Sequence, residues 1–396
     1  MTDIGEHIEA VLPAVVDLRH ALHAHPELGF EERQTARRVL DRLEAIDNLR
    51  IQTGVAGTGI VATLNAHKPG PCVALRADMD ALPIQEENDL PYASKIPGRM
   101  HACGHDGHMS CLVGAAEVLA RIADDLPGKV KFIFQPAEEG GGGGRAMCKA
   151  GVLEEPKVDA IFALHGWPDL PFGTVGTRPG AILASQDRWS ITIYGKGAHA
   201  AWPHHGIDPI VAASQVVTTL QTIVSRSTDP LDSVVVTVGR FHAGTAGNII
   251  PDSAELEGTI RALNESSRAK SISLIEQIAE QTALAFSARA DVQIQPGYPV
   301  LVNDEHAADL VQQTAREALG PDKVVEGFPP CMGAEDFAFY AERIPAAFWC
   351  LGVGRGEVDT RPQLHQTNFD FPDDALPIGI RMHCELATRF LAAPAR

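Results

Sequence analysis

What most constrains this chain is a series of short apolar runs, rich in β-branched residues and bounded by Gly or Pro, that alternate with stretches of helical period. Gly59 to Leu64, Val73 to Ala77, Val130 to Phe134 and Ala160 to Leu164 read as buried strands. Between the second and third of them, Gly107 to Ile122 carries Leu112, Val113, Ala116, Leu119 and Ala120 on one side, as a helix does. Two helices precede the strands. One has Ile8, Val11, Leu12, Val15, Leu18 and Leu22 at spacings of mostly three and four and is stopped by Pro26; the other covers Glu32 to Glu44. A helix over His306 to Leu319, a strand over Ala347 to Leu351 and a closing helix over Asp374 to Leu391 follow much later. This alternation predicts the α/β class, with helices packed on a mostly parallel sheet.

Between Gln186 and Gln295 the pattern changes. Ser190 to Tyr194 reads as a strand, Ile207 to Val224 as a helix, Val234 to Val238 and Ala254 to Arg261 as strands, Ser267 to Phe286 as a helix and Asp291 to Gln295 as a strand. The order βαββαβ is that of a ferredoxin-like α+β unit. A chain of 396 residues also exceeds what one hydrophobic core of about 150 residues requires. We therefore expect one domain built from residues 1–185 and 297–396, and a smaller one, 186–296, inserted into it.

Several functional classes are excluded by charge and composition. The formal charge of -18, with no basic stretch to reverse it locally, repels polyanions, so nucleic acid is not an expected partner. Hydrophobic residues at 45% and charged residues at 21% are those of a packed protein rather than a disordered one. No apolar stretch approaches the ~20 residues of a membrane span. Met1 to Ala10, with Asp3, Glu6 and Glu9, has no secretory pattern. The cysteines are seven, an odd number, and scattered, as expected for reduced thiols in the cytoplasm.

Chemistry gathers just beyond the carboxyl ends of the strands, the edge at which open α/β sheets bind ligands. The strand over Val73 to Ala77 runs into Asp78, Met79 and Asp80. The one ending at Phe134 runs into Gln135-Pro-Ala-Glu138-Glu139, and the one ending at Leu164 delivers His165. The segment His101-Ala-Cys103-Gly-His105-Asp106-Gly-His108 adds three imidazoles, a thiol and a carboxylate in a glycine-punctuated turn before a helix. Soft sulfur, borderline nitrogen and hard oxygen together suit Mn²⁺, Zn²⁺, Co²⁺ or Ni²⁺ better than Ca²⁺ or Mg²⁺. The pair Glu138-Glu139 can divide its labour, one carboxylate binding metal and the other moving a proton. The glycines Gly140 to Gly144 end in Arg145-Ala146, without the Lys-Ser/Thr of a nucleotide loop, and are read instead as a close approach of backbone to the site.

Taken together, the motifs resemble hippurate hydrolase and the wider aminoacylase and carboxypeptidase clan of metallopeptidases, in the branch that also holds plant hydrolases of indoleacetyl amino acids. They are DMDALP (Asp78 to Pro83), MHACGHDGH (Met100 to His108), QPAEEGGGG (Gln135 to Gly143), GKGAHAAWPH (Gly195 to His204), GAEDF (Gly333 to Phe337) and LHQTNFDF (Leu364 to Phe371), preceded by RHALHAHPELGFEE (Arg19 to Glu32). The resemblance implies a catalytic domain holding two divalent transition-metal ions, and an inserted domain serving as lid and dimerisation surface of a homodimer or homotetramer. Carried onto matching positions, the implied ligands are Cys103, His105, Glu139, His165 and His365. Glu138 becomes the catalytic acid/base, and Asp80 the acid that orients a ligand. In the inserted domain, His199, Asn248 and Arg261 match positions that reach the substrate. The chain departs from the pattern at HAGTAGNIIP, before Asn248, and at Ala334, where some relatives carry serine.

The implied activity is hydrolysis of N-acyl amino acids, hippurate-like substrates among them, to a carboxylic acid and a free amino acid. Dipeptidase or carboxypeptidase-type cleavage at the same site is the nearest alternative. Two others come from different classes: thiol catalysis by Cys103 with His105 or His108 as base, and a metal- or ligand-binding protein without turnover.

Overall fold

The computed structural model describes residues 4–357 and 360–393. Met1, Thr2 and Asp3 of the acidic opening stretch, and the expected domain ends at residues 1 and 396, lie outside the described residues. By contact the chain separates into two compact units. One is made of residues up to Ile182, Val302–Pro329 and the chain from Asp336 onward; the other is Leu183–Leu301 together with Pro330–Glu335.

The larger unit is an α/β layer built on a seven-stranded sheet. Its strands, from one edge to the other, are Leu49–Val55, Gly59–Leu64, Lys129–Gln135, Cys72–Asp78, Ala160–Pro171, Ala346–Gly354 and Val175–Gly176. The four strands from Lys129–Gln135 to Ala346–Gly354 run parallel to one another, and the pairs at either edge are antiparallel. Every residue of Cys72–Asp78 and of Ala346–Gly354 is buried, as parallel strands covered on both faces require. Helices Ile4–His23, His105–Arg121 and Leu376–Ala392 bring Val15, Leu112 and Ile380 into the core with the sheet residues Leu75 and Phe132. Among the described residues no helix is long and apolar enough to cross a membrane.

Of the elements that differ from the sequence reading, two belong to long strands of this sheet. Leu49–Val55 is a strand that periodicity does not reveal, because it lies at the sheet edge and none of its side chains is fully buried. The strand starting at Ala160 does not end at Leu164 but continues to Pro171, since its partner runs alongside it and pairs Cys350 with His165. His165 therefore projects from within a strand and is held more rigidly than a loop residue would be.

The smaller unit has the order Gln186–Tyr194, Pro209–Thr222, Val234–Ala243, Ser253–Ala262, Glu265–Ala285 and Arg289–Tyr298, that is βαββαβ. Counted along this unit its strands lie in the order 2-3-1-4, and all three pairings are antiparallel, which is the ferredoxin-like sheet. Two capping acceptors fix the helix starts. Asp208 accepts from the backbone of Ile210 and Val211, and Asn264 from that of Ser267. Ile191, Val216, Leu256 and Ile275 lie in its separate core.

The first helix of the larger unit ends in a buried ionic knot. Both ring nitrogens of His23 face carboxylates, Nδ1 at 2.9 Å from Asp106 Oδ2 and Nε2 at 3.0 Å from Glu86 Oε1. Burial opposes the charge, but the two carboxylates hold the His23 pKa up at about 10. The ring is thus an imidazolium that donates on both sides.

Close packing under the sheet's carboxyl edge leaves no space at Gly107. A Cβ there would lie 2.4 Å from Cγ and Cδ1 of Phe371, a ring that is completely buried. Gly107→Ala is therefore expected to destabilise the protein by about 1–3 kcal/mol through overpacking, although alanine alone would favour the helix by roughly 1 kcal/mol. The check is a thermal melt; a variant as stable as the parent would show that Phe371 yields freely.

Candidate metal centre

Asp80, two residues beyond the strand Cys72–Asp78, organises the site through three acceptors. Its Oδ1 accepts the backbone N–H of Glu138 at 3.0 Å and its Oδ2 that of Glu139 at 2.9 Å. Its backbone carbonyl lies 2.7 Å from His105 Nδ1. A carbonyl can only accept, so Nδ1 carries the proton and the His105 Nε2 lone pair is free to bind a cation. The same logic holds for His165, whose Nδ1 donates to the Gly166 carbonyl at 2.8 Å while Nε2 stands 3.4 Å from Cys103 Sγ.

The donor atoms converge. Those of Cys103, His105 and His165 lie within 4.8 Å of one another, as do those of Cys103, Glu139 and His365 and those of His105, Glu138 and Glu139. His365, half exposed, brings Nε2 to 3.1 Å from Glu139 Oε1. Its backbone sits at φ +65°, a left-handed conformation uncommon for a side-chain-bearing residue, and its N–H donates to the Ala102 carbonyl at 2.8 Å. His105 Nε2 is buried and makes no hydrogen bond, a costly arrangement for a polar atom unless something else satisfies it. A thiol, imidazole nitrogens with fixed tautomers and carboxylates fit divalent transition-metal ions.

Electrostatics favour a cation and oppose a nucleophilic thiol. Burial tends to discharge His105, yet Asp78, Asp80 and Glu139 hold its pKa up at about 10, so the surroundings favour positive charge at Nε2, carried by a proton or by a cation that takes its place. Burial, and then the carboxylates of Glu139, Glu138 and Asp78, push the Cys103 thiol well above its ordinary value. A reactive cysteine needs the opposite surroundings, whereas a coordinated dication deprotonates the thiol directly.

Other residues brace the site and were only partly visible in the sequence. His108 Nδ1 donates to Asp78 Oδ1 at 2.7 Å, and its Nε2 accepts from the Gly166 N–H at 2.9 Å. Both nitrogens are used, so although Asp78, His105 and His108 also cluster, His108 has no lone pair left for a metal. Asp336 of the GAEDF motif accepts from Gln135 Nε2 at 2.7 Å, from Arg76 Nη2 at 3.1 Å and from the Gly144 N–H at 2.7 Å. Its own N–H donates to Glu138 Oε1 at 3.3 Å. The available signal was Arg76 itself, a charge in the middle of a buried strand that is apolar from Cys72 to Leu75.

The candidates of the smaller unit are described within it. His199, exposed, lies in the short strand Ala198–His199 and pairs with Ile249; its Nδ1 accepts from the Ala201 N–H at 3.1 Å, which leaves Nε2–H as an outward donor. Asn248, also exposed, receives the Ala200 N–H on its backbone carbonyl at 3.1 Å. Arg261 is half buried and donates to the Ile260 carbonyl at 3.1 Å. Among the described residues no carboxylate forms an ion pair with it.

The profile described as peptidase family M20/M25/M40 matches residues 74–389. The chain is 42% identical over 381 residues, 95% of this chain and 86% of the other, to the IAA-amino acid hydrolase ILR1-like 4 of Arabidopsis thaliana. It is 40% identical over 381 residues, 94% and 96% of the two chains, to the N-acetylcysteine deacetylase of Bacillus subtilis. Among solved structures, a dinuclear metal binding peptidase from the M20 family, the Bacillus subtilis YXEP protein, superposes with a TM-score of 0.84 at 38% identity, covering 97% and 99% of the two chains. With such likeness spread over nearly the whole chain, the protein belongs to peptidase family M20/M25/M40, in its branch of dinuclear, metal-dependent amidohydrolases.

Proposed function

We propose that the protein hydrolyses the amide bond of N-acyl amino acids, hippurate-like substrates included, to a carboxylic acid and a free amino acid. The observation that carries this reading is the pair Glu138-Glu139, whose backbone N–H groups both donate to Asp80 and whose carboxylates both lie at the donor cluster, the two together with His105 and Glu139 also with Cys103 and His365. Cys103, His105, Glu139, His165 and His365 would hold two divalent ions, Mn²⁺, Zn²⁺, Co²⁺ or Ni²⁺. When bound, such ions supply Lewis acidity toward the acyl carbonyl and toward water.

The chain's own residues do the rest. Glu138 accepts the proton of the attacking water and delivers it to the departing amine nitrogen. Asp80 keeps both glutamates and His105 in place. The outward Nε2–H of His199 suits an oxyanion, Asn248 supplies a second polar group, and the planar fork of Arg261 suits the substrate carboxylate. In this reading residues 1–185 and 297–396 form the catalytic domain, and 186–296 a lid through which a homodimer or homotetramer assembles in the cytoplasm.

The named activities of the relatives, an amino acid conjugate hydrolase and a deacetylase, support amide substrates with a free amino acid as leaving group. A relative at 36% identity named thermostable carboxypeptidase keeps peptide cleavage in the same test. Turnover is expected on a panel of benzoyl-, acetyl- and indoleacetyl-amino acids and dipeptides supplied with each of the four metals, with benzoyl-glycine among the substrates cleaved. Cleavage of dipeptides alone would replace the acyl reading by the peptidase one. No cleavage of any compound with any metal would leave a binding protein.

A further inference from the structure

We propose that Arg19 and His23, on the first helix, are positioning residues for the metal centre: through Asp106 they hold His105, and through Asp370 and Phe371 they hold the segment that presents His365. The proposal rests on the reading of His105 and His365 as metal ligands. It gives a role to the amino-terminal motif beginning at Arg19, which touches no reacting group.

The geometry joins the two ligands through one buried knot. Asp106, next to His105 in the first turn of the helix His105–Arg121, is completely buried and accepts from His23 Nδ1 at 2.9 Å, with Arg19 Nη1 at 3.5 Å. The same Arg19 Nη1 donates to Asp370 Oδ1 and to the Phe371 carbonyl, both at 2.8 Å, and Arg19 Nε lies 2.6 Å from Asp373 Oδ1. Arg19 and His23 are themselves wholly buried. On its other side His23 reaches Glu86, and the segment after Glu86 returns to the chain behind His365. Glu87 N–H donates to the Thr367 carbonyl at 2.9 Å, Asn88 Nδ2 to the Phe369 carbonyl at 3.1 Å, and the Tyr92 hydroxyl to Asp370 Oδ2 at 3.0 Å.

A residue held at positive φ does not stay there unaided. The stretch from His365 to Asp373 has no helix or strand of its own until the turn Asp373–Ala375, so its shape comes from these bonds. Buried charges that only anchored a helix would be replaceable by apolar packing. Here their hydrogen bonds end on Asp106, next to His105, and on Asp370 and Phe371 of the segment that carries His365; loss of a bond that orients a ligand typically costs about ten- to a hundred-fold in metal affinity.

The test is a titration of the chelator-stripped full chain with Co²⁺ alone, read by visible absorption against a competing chelator, on the parent and on Arg19→Gln, His23→Gln and Val15→Ala, each well below its own melting temperature. Val15 is a buried apolar residue of the same helix with no part in the knot. Arg19→Gln and His23→Gln are expected to weaken Co²⁺ binding at least about ten-fold and to change the visible band, while Val15→Ala melts earlier but binds as the parent does. Should the charged variants not fold, Tyr92→Phe, which removes a single bond to Asp370, is expected to weaken binding in the same sense by a smaller factor. Parent-like affinity and spectrum in Arg19→Gln and His23→Gln, or in Tyr92→Phe where those do not fold, overturns the proposal, as does equal weakening in Val15→Ala. A parent that binds no Co²⁺, or a His365→Ala variant that binds as the parent does, removes the ligand reading itself and the proposal with it.

Discussion

Glu138→Gln is expected to lower kcat by about 10²–10⁴-fold, the usual contribution of a positioned acid/base, with KM little changed and with two cations still bound. Glutamine keeps the size of the side chain and can still accept the Asp336 N–H through its Oε1, the bond Glu138 makes at 3.3 Å. It cannot take or return a proton. Glu138 is almost fully buried, so bulk water has poor access to stand in for it. The supposed ligand, Glu139, is untouched, and the Asp80 bonds to the backbone of both glutamates do not depend on the side chain replaced. Steady-state kinetics on the best substrate of the panel, with metal content measured on the same sample, decide the matter. A kcat within a few-fold of the parent would take the proton-transfer role away from Glu138, and loss of metal would make it a ligand instead.

The sequence revealed where chemistry sits better than what supports it. Cys103, His105, Glu139 and His165 were legible because strand ends and a glycine turn are local features, and metal-competent side chains clustered there stand out against apolar runs. His365 was not legible that way. It lies in a stretch without helix or strand, and only the family pattern pointed to it. The bracing network was hidden for a different reason. Arg76 and Asp336 are 260 residues apart in sequence, and periodicity reports which face of an element is buried but not which distant side chain meets it. The edge strand Leu49–Val55 escaped because a strand without a fully buried face leaves no apolar alternation to read. In the smaller unit the two long helices and the four strands of the main sheet match the reading of the sequence, whereas the two-residue strands Ala198–His199 and Ile249–Ile250 are too short to leave a pattern, and Pro330–Glu335, a short segment with none, packs with that unit as well.

Asp80→Asn is expected to be nearly as damaging as Asp80→Ala, with kcat/KM down by about 10²-fold or more and metal affinity down by about ten- to a hundred-fold. The carboxylate uses both oxygens as acceptors, one for the N–H of Glu138 and one for that of Glu139. An amide of the same shape offers one oxygen, and its NH₂ would confront the second backbone N–H donor to donor. That leaves a donor without its acceptor, at a cost of about 1–3 kcal/mol where it is buried, and the loop relieves it by moving. Since Ala137, just before the pair, is already at φ +52°, the loop has a more relaxed backbone to move toward. Movement there would displace the proposed proton carrier, Glu138, and the proposed ligand, Glu139, together, so kcat and metal affinity are expected to fall together in Asp80→Asn, whereas Glu138→Gln is expected to lower kcat alone. Kinetics combined with Co²⁺ titration of both variants separate the two cases. If Asp80→Asn keeps parent-like affinity and rate, the two backbone bonds do not set the position of the glutamates.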